Sequence, residues 1–107
     1  MATFGQRIRE LRKAKGFTQR ELADLVGINF TYLSKIENGK LEQDQSPRGD
    51  TIQSMAEALD ADADELMLLA RKIPESIKQL VIDRPEIFKK MITLTEDQLD
   101  RLAEEME

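Results

Sequence analysis

The side chains whose types and spacing could do chemistry lie between Thr18 and Lys40, in the segment TQRELADLVGINFTYLSKIENGK. Its second half carries polar and aromatic side chains at helical spacing on one outward face. The chain contains no His and no Cys, which removes the commonest general base, the commonest metal ligand and all thiol chemistry. It also shows no glycine-rich phosphate loop and no plausible carboxylate dyad. The sequence therefore predicts a binding protein that is not an enzyme and uses neither a metal nor another cofactor.

The same segment predicts two short amphipathic helices joined by a tight turn at Val26-Gly27-Ile28, where the glycine supplies the necessary backbone freedom. Thr18 and Glu21 are spaced as a capping box that starts the first helix. Asn29 caps the second helix, which ends at Asn38-Gly39-Lys40. This is the form of a helix-turn-helix, whose second helix enters the DNA major groove.

Charge is distributed unevenly along the chain. Residues 1–40 contain eight Lys/Arg and four Asp/Glu, a net charge of +4, whereas residues 41–107 contain eight and seventeen, a net charge of −9. One basic face on an otherwise acidic protein accounts for the overall charge of −5 and suits a nucleic-acid partner. Ordinary solvated surface in both halves is the alternative that charge alone leaves open.

Helical periodicity continues on both sides of this segment, so the predicted fold class is all-α, with five helices followed by a short helical C-terminal extension. The loop 40–51 leads into a helix that is expected to start at Ser46-Pro47 or nearer Asp50, and Asp62 with Glu65 is spaced as a capping box for the fifth helix. The predicted core residues are Phe4, Ile8, Leu11, Ala14, Leu22, Ala23, Val26, Leu33, Ile36, Ile52, Met55, Ala56, Leu59, Leu66, Leu69, Ala70 and Ile73.

Residues 74–107 are predicted to form three short helices, the second opened by Pro85 and the third by a capping box of Thr95 and Gln98. About thirty residues cannot bury the many apolar side chains of this segment by themselves. We therefore divide the chain into a domain of residues 1–73 and a dimerisation segment of residues 74–107. Packing of the segment within one chain is the alternative.

Together these patterns resemble the XRE-type transcriptional regulators, the helix-turn-helix family that includes the lambda-like phage repressors and Cro proteins. The resemblance covers residues 3–72, and its most specific elements are Arg12, the T-Q-x-x-L-A pattern from Thr18 to Ala23, the turn at Gly27, and Y-L-S-K-I-E-N-G from Tyr32 to Gly39. It implies a five-helix, lambda-repressor-like DNA-binding domain. One departure is the loop LEQDQSPRGD, which is longer and more acidic than in the simplest family pattern. Few phosphate contacts are expected from such a loop, and a dimer is then needed for firm binding.

The resemblance also implies roles for individual side chains. On the outward, N-terminal face of the recognition helix 29–37, the residues expected to contact base edges are Asn29, Phe30, Thr31, Ser34 and Lys35. The residues expected along the DNA backbone are Gln19, Tyr32, Asn38 and Lys40. Arg12 and Glu37 are expected to form a partly buried, structural ion pair. The alternatives are that Gln19 is a solvated helix-start residue, Phe30 a core or staple residue, and Lys35 plain surface.

The predicted function is a sequence-specific, DNA-binding transcriptional regulator, more specifically a repressor that binds a palindromic operator in double-stranded DNA as a homodimer. The alternative is an antitoxin-like or anti-regulator protein whose helical tail, residues 75–107, binds a protein partner while the DNA-binding domain autoregulates. No apolar run is long enough for a spanning helix, and the first residues lack the apolar region that is typical of a signal peptide. We therefore expect a cytoplasmic location and no membrane association.

Overall fold

The computed structural model describes residues 2–107, apart from the side chain of Gln43, and within that range it contains helices and no strand. The helices are α1 (Phe4–Ala14), α2 (Gln19–Val26), α3 (Phe30–Glu37), a 3-10 turn (Gln43–Gln45), α4 (Gly49–Leu59), α5 (Ala63–Leu69), α6 (Glu75–Asp83), α7 (Pro85–Met91) and α8 (Glu96–Glu105). The predicted all-α class, with five helices followed by a helical extension, is confirmed.

The chain divides into two compact units, the first ending at Ile73 and the second spanning Pro74–Glu107. In the first unit, α4 packs on α5 and α2, and α3 packs on α1 and α2. In the second unit, α6 packs on α7. Within residues 2–107, no helix is long and apolar enough to cross a membrane.

Both of the predicted threonine capping boxes are present. The Thr18 hydroxyl oxygen accepts from the Glu21 N–H at 3.1 Å, and the Glu21 carboxylate accepts from the Thr18 N–H at 3.0 Å. Hydrogen bonds from Thr18, chiefly from its backbone N–H, lower the pKa of Glu21, so the charged form matches the positive end of α2. The pair formed by Thr95 and Gln98 opens α8 in the same way.

The predicted capping box of α5 forms only in part. Asp62 Oδ1 accepts from the backbone N–H groups of Asp64 at 2.9 Å and Glu65 at 3.5 Å. The Glu65 carboxylate instead accepts from Arg7 Nε of α1 at 3.2 Å. A tertiary partner has therefore replaced the local one.

Of the two predicted starts of α4, the one at Ser46-Pro47 is wrong and the one nearer Asp50 is confirmed. The helix begins at Gly49, and Arg48 occupies its N-cap without a side-chain hydrogen bond. Pro47 is buried ahead of the helix, so its ring packs against the domain and does not form the first helical turn. The 3-10 turn Gln43–Gln45 occupies part of the segment predicted as loop.

The core of the first unit lies between α1, α2, α3, α4 and α5. Its largest fully buried side chains are Ile8, Leu22, Leu33, Ile52, Met55 and Leu66. The predicted inward face of α1 was partly wrong, because Gly5, Ile8 and Arg12 are buried while Leu11 is half-buried and Ala14 exposed. Ile73, also predicted as core, is 45% exposed.

The buried face of α1 is set by a close backbone approach to α3. A Cβ atom built on Gly5 would lie 2.1 Å from the carbonyl oxygen of Ile36. Only glycine allows this separation, and the approach turns Arg12, two helical turns further on, towards the end of α3. The position of α3 therefore depends on a residue without a side chain.

Gly5→Ala should lower the free energy of unfolding by about 1–3 kcal/mol, because the added methyl forces α1 and α3 apart. Gly49→Ala is the matched control. Its added Cβ would meet Met67 Cε at an ordinary 3.7 Å, so it should be neutral or stabilising by up to about 1 kcal/mol. Urea denaturation followed by circular dichroism measures both, and equal effects would show that the approach at Gly5 is not a constraint.

Candidate nucleic-acid interface

The turn between α2 and α3 is made by a left-handed glycine. Gly27 has a φ of 78° and caps α2, and its N–H donates to the Ala23 carbonyl at 2.9 Å. The N–H of Ile28 donates to the same carbonyl at 3.0 Å. Asn29 then caps α3, since its side-chain oxygen accepts from the Thr31 N–H at 2.7 Å. The chain thus leaves one helix and enters the next within three residues.

Helix α3 has one buried side and one exposed side. Leu33, Ile36 and Glu37 are buried against the domain. Of the residues predicted to contact bases, Thr31 and Lys35 are exposed on the opposite side and Ser34 is half-buried. Asn29 and Phe30 are exposed at the N-terminal end of α3.

Some of these side chains already have partners within the protein. The Asn29 oxygen is used in the cap, which leaves its amide N–H groups as donors. The Asn38 side-chain amide donates to Ser34 Oγ at 3.3 Å. Thr31 and Lys35 are both exposed. The Thr31 hydroxyl and the Lys35 ammonium group can each donate to guanine or thymine oxygens.

The Tyr32 ring is half-buried, and its hydroxyl donates to the Gln45 carbonyl at 2.6 Å. Burial raises the pKa of Tyr32, so the hydroxyl stays protonated and keeps this bond. The bond ties α3 to the 3-10 turn. The same hydroxyl can therefore contact DNA only as an acceptor, which is a poor match to a phosphate oxygen.

A buried ion pair holds the C-terminal end of α3. Arg12 Nε and Nη2 donate to the two carboxylate oxygens of Glu37 at 2.8 and 2.9 Å. The third Arg12 contact is from Nη1 to the Phe17 carbonyl at 2.8 Å. Gln19 completes the group, because its side-chain N–H donates to Glu37 Oε1 at 3.1 Å. The pair joins α1, the α1–α2 loop and the start of α2 to the end of α3.

Gln19, predicted to contact the DNA backbone, has a partner within the protein. Its side chain is half-buried and held by Glu37, so it is neither simply solvated nor wholly available to a phosphate. Asn38 and Lys40, which were also predicted to lie along the DNA backbone, are both exposed. Lys40 follows the left-handed Gly39, and its N–H donates to the Lys35 carbonyl at 2.9 Å, which ends α3.

One contact at this surface was missed by the sequence analysis. The Arg20 guanidinium carbon lies 4.5 Å from the centre of the Phe30 ring. Phe30 is 37% exposed and lies outside the hydrophobic core. The alternative that Phe30 is a core residue is therefore wrong. The only sequence signal was a cation at the second residue of α2, where the helix dipole disfavours it.

Comparison with known proteins decides the family, since the helix-turn-helix family model matches residues 8–66. The chain belongs to the XRE family of helix-turn-helix transcriptional regulators. This XRE protein therefore carries a lambda-repressor-like DNA-binding domain.

Two curated relatives of this XRE protein come from Bacillus subtilis (strain 168). The HTH-type transcriptional regulator RghRB is 40% identical over 82 residues, which cover 74% of this chain and 57% of RghRB. The HTH-type transcriptional repressor RghR is 37% identical over 75 residues, which cover 70% of this chain and 53% of RghR. The chain thus spans little more than half the length of either relative.

A solved complex of the SinR and SinI proteins is similar in fold to nearly the whole XRE chain. The match has a TM-score of 0.55 and 24% sequence identity, and it covers 97% of this chain and 94% of the matched chain. At this identity the likeness concerns the fold alone.

Glu37→Gln should destabilise the first unit by about 3 kcal/mol, because it leaves the buried Arg12 guanidinium without a counter-charge. Glu65→Gln is the matched control, since it removes one charge from the exposed ion pair with Arg7 and should cost less than about 1 kcal/mol. Chemical denaturation of the full chain gives both values. Similar losses of unfolding free energy for the two variants would show that the Arg12–Glu37 pair stabilises the protein no more than an exposed ion pair does.

Proposed function

We propose that the protein is a sequence-specific repressor that binds a palindromic operator as a homodimer, with α3 in the major groove. The observation that carries the proposal is the exposure of α3 along its outer side and N-terminal end, while Leu33, Ile36 and Glu37 are buried. The exposed or half-buried residues there are Asn29, Phe30, Thr31, Ser34 and Lys35. Major-groove recognition needs such a set, with hydrogen-bonding and apolar groups on one rigid helix.

The chemistry of the individual groups supports specific contacts. The Lys35 ammonium can donate to guanine O6 and N7, and the Thr31 hydroxyl can pair with several bases. The Phe30 ring, exposed at the first residue of α3, can pack on a thymine methyl. The Asn29 amide N–H groups are placed at the same end of the helix.

The acidic loop after α3 supports a dimer. Glu42, Asp44 and Asp50 outnumber Arg48 in the loop and at the start of α4, so this segment offers little attraction to phosphates. Phosphate contacts supply most of the non-specific affinity of DNA-binding proteins. Two domains on one operator, with recognition helices about one DNA turn apart, restore affinity by doubling the contacts.

Exposed apolar surface on the second unit also supports a dimer. Between α6, α7 and α8 lies a cleft of about 420 Å³, lined by seven apolar side chains that include Leu80, Ile87 and Leu102. Leu80 is 52% exposed, and Ile92, outside the cleft, is 83% exposed. Surface of this kind, on a unit of this size, favours burial against a second copy.

A repressor is the simplest regulatory consequence of operator binding, because a bound dimer occludes a promoter without contacting any other protein. The name of the relative RghR, a transcriptional repressor, is consistent with this sign of regulation.

Lys35→Ala and Thr31→Ala should each relax the preference at one or two base positions and cost about 1–3 kcal/mol on the preferred site. The measurement is selection of bound sites from a random DNA pool, followed by binding titrations on the selected site. Lys78→Ala, which removes the same charge from α6 in the second unit, is the control. A uniform loss of affinity with a shallower salt dependence would assign Lys35 to a phosphate instead.

Leu80→Gln should convert the dimer to monomer and weaken operator binding, because it places an amide in the apolar surface of the second unit. Lys78→Gln, two residues away and exposed, should leave both properties unchanged. Sedimentation at micromolar concentration measures the oligomeric state. A monomeric wild-type protein, or a Leu80→Gln protein that dimerises normally, would contradict the role of this unit.

A second candidate function is an antitoxin-like or anti-regulator protein, and the exposed apolar residues Leu80, Ile82 and Ile92 favour it. In that case the second unit binds a different protein while α3 binds the protein's own promoter. Copurification from the native cell separates the two, because a stoichiometric partner of different sequence is expected only here.

A further inference from the structure

The contact between Arg20 and Phe30 joins the two helices of the motif on their exposed side. Arg20 is the second residue of α2 and Phe30 is the first residue of α3. The guanidinium carbon lies 4.5 Å from the ring centre, within the range of a cation–π interaction. Both residues are exposed.

Local electrostatics do not explain where the Arg20 side chain lies. The positive end of α2 disfavours a cation at this position. Asp24 lies one turn further along α2, and Glu21 is already bonded to Thr18. Among the described residues, no ion pair includes Arg20. Its guanidinium is therefore positioned by the aromatic ring of the recognition helix and not by the acids of its own helix.

We infer that Arg20 and Phe30 act as one composite DNA contact, in which the guanidinium binds a backbone phosphate and holds the Phe30 ring against a neighbouring thymine. The inference rests on the proposed function and adds Arg20 to the residues that carry it. Arg20 is a phosphate-binding residue for affinity and a positioning residue for the base contact of Phe30.

The geometry suits both roles. A guanidinium that stacks on a ring keeps its N–H donors at its edge, where they can bind a phosphate. Stacking also restricts a side chain with many rotamers before DNA arrives, which lowers the entropic cost of binding. In a helix-turn-helix, the first helix crosses the DNA backbone while the second enters the groove. A cation on α2 that contacts the first residue of α3 therefore lies between the DNA backbone and the major groove.

The charge distribution gives this cation particular weight. The loop after α3 is acidic, so phosphate contacts have to come from the helices themselves. Lys35 and Lys40 are on or next to α3, and Arg20 is the basic residue of α2. Removing it should therefore change the salt dependence of binding measurably.

The test uses the full chain and the operator selected from the random pool. Arg20→Ala should weaken binding roughly tenfold or more, and it should reduce the slope of log K against log salt by about 0.9 for each bound domain. Arg20→Lys retains the charge and should retain the slope. Arg101→Ala removes the same charge from α8 and should leave the slope unchanged.

The positioning role is tested with deoxyuracil, which lacks the thymine methyl. The thymine contacted by Phe30 is the one whose replacement weakens the wild-type protein but not Phe30→Ala. Arg20→Ala should reduce this penalty, and in a Phe30→Ala background it should change base preference no further. A purely structural role for Arg20 would leave both the salt slope and the uracil penalty unchanged once folding is verified by denaturation.

An Arg20→Ala protein with a wild-type salt slope, or with an unchanged uracil penalty, overturns the inference. So does a wild-type protein for which no thymine methyl matters. These outcomes leave the proposed function intact, provided that the wild type selects a defined site. A wild-type protein that selects no site defeats the proposed function itself.

Discussion

The buried pair of Arg12 and Glu37 is the interaction on which the position of α3 depends. Burying two charges is costly unless their hydrogen-bonding groups are satisfied. Here both Glu37 oxygens accept from Arg12, and the guanidinium also reaches the Phe17 carbonyl. Among the described residues, no buried side-chain nitrogen or oxygen lacks a partner. The pair therefore links three segments of the chain without leaving an unpaired polar group inside.

Two further contacts hold α3 from its inner side. At Gly5 the backbone of α1 comes close to the Ile36 carbonyl, and the Tyr32 hydroxyl binds the 3-10 turn through Gln45. Together with the ion pair, these contacts restrain the helix while leaving its outer side chains exposed. A rigid support of this kind keeps a helix in one position, so its exposed side chains can vary without changing the fold.

The two units differ in charge and in the kind of surface they expose. The motif lies within the first 40 residues, which carry the net charge of +4. The remaining chain is acidic, and the second unit exposes apolar side chains such as Ile82 and Ile92. A basic surface attracts DNA and an acidic one repels it. The net charge of the first 40 residues therefore favours contact with DNA, and the net charge of the remaining chain does not.

The features that the sequence determined by itself are those that depend on near neighbours. The capping boxes at Thr18 and Thr95, the left-handed turn at Gly27 and the three short helices of residues 74–107 need only residues within about four positions of one another. The tertiary structure alone decided which face of α1 is buried and that the Gln19 side chain donates to Glu37. It also decided that the Glu65 carboxylate accepts from Arg7 and does not complete the predicted capping box with Asp62. Arg20 and Phe30 also meet only after α2 and α3 have turned back on each other. Such contacts join residues up to 58 positions apart, and each competes with a local alternative. The outcome therefore depends on the packing of the whole unit and not on any pattern in the neighbouring residues.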